Sequence, residues 1–190
     1  DRWANRAICQ YMKFIFAALL AIMASIGSAE CPDNPQITQA LNKAYTDLKF
    51  AKFSAEAQVV TDELWRLWTQ APDGEAQRLL NSGMLRIRQG DLRAAQEQLS
   101  DLIAYCPNYA EGYNQRAFAR YLAFDFEKAL PDLARTLAIQ PRHLGALSGK
   151  GLTHLALGQE ALAEIEFRKV LALNPFTPDQ DLIQDLGTDL

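Results

Sequence analysis

The chain has 190 residues, of which 49% are apolar and 22% are charged, and its formal net charge is −4. This composition is that of an ordinary globular protein and excludes an intrinsically disordered chain. The negative charge argues against a nucleic-acid-binding surface, which needs an excess of Lys and Arg.

The stretch up to Ala29 differs from the rest because it contains an apolar run behind a positive charge. Lys13 precedes residues 14–26, which carry no charge, and small residues follow up to Ala29. A positive start, a short apolar core and small residues are typical of a secretory signal peptide. We predict one that starts at Met12 and is cleaved after Ala29, so that the mature chain is periplasmic, and we regard the preceding residues as a misassigned upstream start. An uncleaved membrane anchor is the alternative, although a span needs about 20 apolar residues.

Cleavage would leave two cysteines, Cys31 and Cys106, and 16 Lys and Arg against 22 Asp and Glu, a net charge of about −6. An oxidising compartment favours a disulfide between them. Closing a loop of about 75 residues would stabilise the fold by about 3–4 kcal/mol. Two free thiols are the alternative, and so is acylation of Cys31, although the acidic Glu30 before it is unlike a lipoprotein acylation site.

Three consecutive segments of equal length, 76–109, 110–143 and 144–177, align without insertion. They share small residues at the eighth place (Gly83, Ala117, Gly151), small residues at the twentieth (Ala95, Ala129, Ala163) and a proline near the end (Pro107, Pro141, Pro175). Small residues permit close helix crossings, and proline ends a helix. The period and the pattern resemble the tetratricopeptide repeat family.

The resemblance implies an all-α fold, a right-handed superhelix (α-solenoid) of antiparallel helix pairs spanning 76–177. Residues 30–75 then form a degenerate N-terminal helical hairpin, a fourth repeat in effect, and residues 178–190 a short C-terminal cap. Terminal repeats must cover a neighbour's exposed face. We therefore expect Trp65 and Trp68 of the hairpin to pack on the first clear repeat.

The middle repeat departs from the pattern at two places. Phe124 stands where Gly90 and Gly158 begin the turns of the neighbouring repeats, and Pro131 falls inside the predicted second helix. Glycine tolerates a left-handed backbone, whereas other residues pay on the order of 1 kcal/mol for it. We expect Phe124 to adopt a different turn and Pro131 to lie near enough to the helix start to be tolerated.

In tetratricopeptide repeat proteins the first helix of each pair lines a concave groove, which implies a set of partner-binding residues in this chain. They are Leu80, Met84, Ile87, Asn114, Phe118, Tyr121, Leu122, Ser148, Leu152 and Leu155. The set is mostly apolar and indicates a protein or peptide partner gripped by its apolar side chains. The family's clamp around a C-terminal carboxylate is not expected, because three of its polar positions hold Met84, Phe118 and Leu152. Alternatively, the N-terminal helices or a second copy of the chain fill the groove.

A second recurring set is basic and consists of Arg86, Arg116, Arg120 and Lys150. As a strip across the repeats it would attract acidic ligands. The alternative is that acids on neighbouring helices, such as Asp132 and Glu166, neutralise it.

No cluster in the sequence suits catalysis. The two histidines, His143 and His154, lie apart from any other metal ligand or nucleophile, and the cysteines show no metal-binding spacing. We expect no enzymatic activity, cofactor, metal or small-molecule substrate. The favoured function is a non-catalytic scaffold or assembly factor of the bacterial envelope, and the alternatives are a membrane-tethered organiser of an envelope complex and a self-associating oligomer.

Overall fold

The computed structural model describes residues 31–32 and 35–185, so the predicted leader and residues 186–190 lie outside the described part. Within it the chain forms helices and no strand. The helices are α1 (Pro35–Phe50), α2 (Ser54–Trp68), α3 (Gly74–Arg88), α4 (Leu92–Tyr105), α5 (Ala110–Leu122), α6 (Phe126–Ile139), α7 (Leu144–Ala156), α8 (Glu160–Leu173) and α9 (Asp179–Asp185). None of these helices is long and apolar enough to cross a membrane.

Three antiparallel helix pairs, α3–α4, α5–α6 and α7–α8, stack in sequence order. The predicted small residues lie at their crossings. A Cβ atom on Gly83 would come within 2.6 Å of the Leu99 side chain, and one on Gly151 would overlap the ring of Phe167. Leu99 and Phe167 are fully buried. The expected all-α solenoid of helix pairs is confirmed.

The turns between the two helices of each pair share one backbone conformation. Gly90 and Gly158 have φ angles of 76° and 69°, and Phe124 has a φ of 61° at the equivalent place. The expectation of a different turn at Phe124 is therefore wrong, because the repeat geometry imposes the left-handed backbone on a residue with a Cβ. Helix α6 continues through Pro131 without a break.

The N-terminal hairpin α1–α2 does not stack on α3–α4 as a fourth repeat. Its apolar face forms one buried cluster with Leu144 and Leu147 of α7 and Val170 of α8. The Arg142 guanidinium, in the loop before α7, lies 4.2 Å from the ring centre of Tyr45 in α1. The hairpin therefore packs mainly on the later repeats and not, as expected, on the first repeat, which it meets through the hydrogen bond from Tyr109 to the Trp68 carbonyl.

A disulfide joins Cys31, ahead of α1, to Cys106, directly after α4, with the two Cα atoms 5.2 Å apart. It encloses the hairpin and the first repeat in one covalent loop. At the other end of the solenoid, Ile183 of α9 packs on Phe167 of α8. The C-terminal end of the row of repeats is thus covered by α9.

Candidate binding site

Two tryptophans of α2 position the hairpin against α7. The Trp68 ring stacks on the buried His143 ring with centroids 4.0 Å apart, and the Tyr109 hydroxyl donates to the Trp68 carbonyl at 2.6 Å. A Cβ atom on Gly145 would lie 3.1 Å from the Trp65 ring. Helix α7 can accept Trp65 so closely because Gly145 has no side chain.

This packing leaves a cavity of about 620 Å³ between α2 and the first helices of the three pairs. Its apolar wall comes from all these helices and from the segment before α9. The larger apolar residues that line it are Trp65, Met84, Ile87, Phe118, Tyr121, Leu133, Leu144, Leu152, Val170 and Phe176. The concave face is thus a walled cavity, with α2 as one of its walls.

Most of the predicted groove residues line this cavity. They are Met84, Ile87, Asn114, Phe118, Tyr121, Ser148 and Leu152. Leu80 is instead fully buried in the core of α3 and α4, where the α2–α3 linker covers it through Ala71. Leu155 packs in the core of the last pair beside Phe167. Leu122, at the end of α5, is 38% exposed and lies outside the lining.

Asn114 and Gln115, which line the cavity and are called its floor below, belong to a buried polar network. The Glu111 carboxylate accepts from Gln115 Nε2 at 2.6 Å and from Asn114 Nδ2 at 3.2 Å. It also lies 2.9 Å from His143 Nε2. Burial raises the pKa of the nearby Tyr109 hydroxyl, and the Glu111 charge raises it further. Glu111 and His143 lie far apart in the sequence, so no local sequence pattern indicates their contact.

The predicted basic strip is paired with acids on the next helix or, for Arg86, at the residue directly before it. Arg116 makes a bidentate pair with Asp132, with N–O distances of 2.9 and 2.7 Å, and Arg120 reaches the same carboxylate at 2.7 Å. One repeat later, Lys150 lies 2.8 Å from Glu166. Arg86 and Asp91 are 3.5 Å apart. These pairs link the two helices of a repeat, and they favour a structural role for the strip.

His154 lies in the last turn of α7, and its Nδ1 atom is 2.7 Å from Oε1 of Gln159, the residue directly before α8. Among the described residues, no group of three or more His, Cys, Asp or Glu is placed to hold a metal ion.

No protein-family model matches the chain. The chain is 27% identical over 137 residues to a TPR repeat-containing protein of Rhizobium etli, an alignment that covers 72% of this chain and 67% of the relative. It is 29% identical over 157 residues to tetratricopeptide repeat protein 36 of Bos taurus, covering 78% of this chain and 83% of the relative.

Among solved structures, the first TPR of Spaghetti (RPAP3), bound to the HSP90 peptide SRMEEVD, is similar with a TM-score of 0.58 and 21% identity. The match covers 59% of this chain and 90% of that one. In sequence the chain is therefore similar to tetratricopeptide repeat proteins, and its fold is the tetratricopeptide repeat solenoid.

Proposed function

We propose that this chain is a non-catalytic binding protein of the bacterial envelope that holds a short segment of a partner polypeptide in the cavity beneath α2. The observation that carries the proposal is the apolar cavity itself, which the three repeats and the hairpin build together. A similar fold, the first TPR of Spaghetti, is bound to a peptide.

The size of the cavity limits what it can hold. A volume of about 620 Å³ falls within the range of about 300–1,000 Å³ typical of sites for small ligands. A long amphipathic helix laid along an open groove would need more room, and α2 occupies part of that space. We therefore expect a short stretch of the partner, with a few apolar side chains buried.

The envelope location rests on two features. The sequence before Glu30 has the pattern of a secretory signal peptide, and the disulfide between Cys31 and Cys106 suits an oxidising compartment. In the alternative of a membrane-tethered organiser, the leader or an acylated Cys31 would hold the same cavity at the membrane.

The binding test uses a random heptapeptide library displayed on phage and the chain from Glu30 to Leu190. Phe118 lines the cavity and is 48% exposed, so Phe118→Gln should leave stability unchanged and weaken selected peptides at least tenfold. Phe53 is also exposed but lies outside the lining, and Phe53→Gln is the matched control. Equal binding by wild type and Phe118→Gln, measured by fluorescence anisotropy, would contradict the proposal.

Location and assembly need separate measurements. Osmotic-shock fractionation with mass analysis of the N-terminus should find the chain in the periplasmic fraction, starting at Glu30. Recovery in the membrane fraction would favour the tethered alternative. Light scattering of the purified chain should give a monomer, and a stable dimer that excludes the selected peptides would favour self-association.

A further inference from the structure

The polar floor of the cavity has hydrogen-bonding capacity that the protein itself does not use. The Glu111 carboxylate is 1% exposed and accepts from the amide nitrogens of Asn114 and Gln115. Because an ionised carboxylate only accepts hydrogen bonds, both amides must turn their NH₂ ends to Glu111. Their carbonyl oxygens are then left on the other side of each amide.

These two carbonyl oxygens lack a hydrogen-bond partner within the described part of the chain, although Asn114 and Gln115 are only 5% and 7% exposed. Both residues line the cavity. The floor therefore offers two acceptor oxygens that remain accessible, because neither is among the fully buried side-chain atoms that lack a partner. A group that brings N–H donors to this floor would satisfy them.

The Glu111 carboxylate behind the floor contacts the His143 ring and no Lys or Arg side chain of the described residues. His143 Nδ1 accepts from the backbone N–H of Ala146 at 3.2 Å, so the ring proton sits on Nε2 and is donated to Glu111. No Lys or Arg of the described residues forms an ion pair with Glu111.

A second acid, Asp179, lines the same cavity and has hydroxyl partners only, from Ser148 and Thr177. The single cation along the described lining is Arg88, which lies on α3 at the far end of the row of helices. The α9 end and the floor are thus electronegative. Aromatic rings of Trp65, Phe118 and Tyr121 line the walls, and aromatic faces also attract cations.

We infer that the cavity recognises a positively charged N–H donor, the ammonium of Lys or the guanidinium of Arg, on an otherwise apolar segment of the partner. The basic group donates to Asn114 Oδ1 and Gln115 Oε1 above the Glu111 carboxylate, and Asp179 adds attraction from the rim. The inference rests on the proposed binding of a peptide in this cavity. The ligand differs in charge from the acidic peptide SRMEEVD held by the first TPR of Spaghetti.

The same heptapeptide library tests the inference, and its readout is the residue composition of the selected peptides. Lys and Arg flanked by apolar residues should be enriched. The strongest binder is then synthesised with its Lys or Arg replaced by norleucine or by Glu. We expect about a tenfold loss with norleucine and a larger loss with Glu, measured by fluorescence anisotropy at low salt.

Two protein variants locate the effect. Asp179→Asn and Gln115→Met should each reduce the preference for the basic peptide over its norleucine form by at least threefold, while binding of the norleucine form is retained. Asp181→Asn removes an exposed acid of the same helix outside the lining and should change nothing. Circular dichroism checks that Gln115→Met is folded. If Gln115→Met is unfolded, the Asp179→Asn variant alone tests the inference.

The outcomes separate this inference from the proposed function. Selected peptides that are acidic, or that show no preference for a basic residue, would overturn the inference and leave peptide binding in the cavity standing. A preference for Lys or Arg that survives in both variants would also overturn it. If no peptide from the library binds the wild-type chain more tightly than it binds the Phe118→Gln variant, both the proposed function and this inference are overturned.

Discussion

Phe124 is the one described residue other than glycine with a positive φ angle. Its side chain is 79% exposed, and its ring makes an edge contact with Phe126 at a centroid distance of 5.9 Å. A left-handed backbone costs a residue with a Cβ about 1–2 kcal/mol, and such an exposed ring contact returns only part of that. The position therefore stores strain in the middle repeat.

Phe124→Gly should stabilise the chain by about 0.5–1 kcal/mol, because glycine adopts the observed φ without strain and its extra freedom when unfolded offsets part of the gain. Urea denaturation followed by circular dichroism measures the change. Ala123→Gly, at a neighbouring residue with a φ of −84°, is the control and should destabilise the chain. A loss of stability with Phe124→Gly would mean that the aromatic contact outweighs the strain.

Gly151 meets the ring of Phe167 so closely that no Cβ fits without movement. Because Phe167 is fully buried, we expect Gly151→Ala to destabilise the chain by about 1–3 kcal/mol through overpacking. Adding Phe167→Leu to Gly151→Ala should recover part of this loss, whereas Phe167→Leu alone should destabilise. Simple addition of the two losses in thermal unfolding would show that the two side chains do not compete for space.

At the scale of the helix, the fixed period of the repeats predicts the helix pairs and their crossings, because each pair contacts its neighbours at fixed places in the repeat. The position of the α1–α2 hairpin cannot be predicted in this way, because the hairpin lies outside the three aligned repeats. The apolar face around Trp65 and Trp68 indicates that the helix is buried, but it does not say against what. The partner of Trp68 is His143, which lies two repeats further along the sequence, and only the folded chain brings them together.

The predicted groove residues show the same limit. Met84, Phe118 and Leu152 occupy equivalent places in successive repeats, and all three line the cavity as the repeat implies. Leu80 occupies the place of Asn114 and Ser148 but does not line the cavity, and it lies instead in the buried cluster of the first repeat together with Ala71 of the linker after α2. A repeat pattern predicts the packing positions that all repeats share. It does not predict the contacts that the segments outside the repeats make with individual repeats.

Two buried tyrosines lie where the hairpin meets the rest of the chain, Tyr45 in α1 and Tyr109 directly before α5, whose hydroxyl donates to the Trp68 carbonyl. Burial raises the pKa of both hydroxyls above the ordinary value of about 10. A raised pKa in the folded state means that its stabilising effect is complete below pH ~10 and is lost as the pH rises further. We therefore expect the free energy of unfolding to be flat with respect to these groups up to pH ~10 and to fall above it.

Tyr109→Phe and Tyr45→Phe test this contact by urea denaturation between pH 8 and pH 11.5. Each variant should reduce the fall in the free energy of unfolding above pH ~10. At pH 8, Tyr109→Phe should cost about 1–2 kcal/mol, because the buried Trp68 carbonyl loses its donor. An unchanged alkaline slope in the double variant would show that other groups cause the decline.

Across the whole molecule, the hairpin forms one wall of the cavity through α2. Its attachment depends on the Trp68–His143 stack, the Tyr109 hydrogen bond, an apolar cluster and the Cys31–Cys106 disulfide. The solenoid itself is continuous, with each pair packed on the next. We therefore expect the hairpin to open at a lower free energy than the repeats.

Native-state hydrogen exchange should reveal this separation. Removing the disulfide with Cys31→Ser frees the start of α1, and we expect the amides of α1 and α2 to exchange at least tenfold faster while those of α5 to α8 change less than threefold. Trp68→Leu, which keeps the disulfide but removes the stack on His143, should accelerate the same two helices. If exchange rises equally in every helix, the hairpin opens only when the whole chain unfolds, and access to the cavity then depends on fluctuations much smaller than detachment of the hairpin.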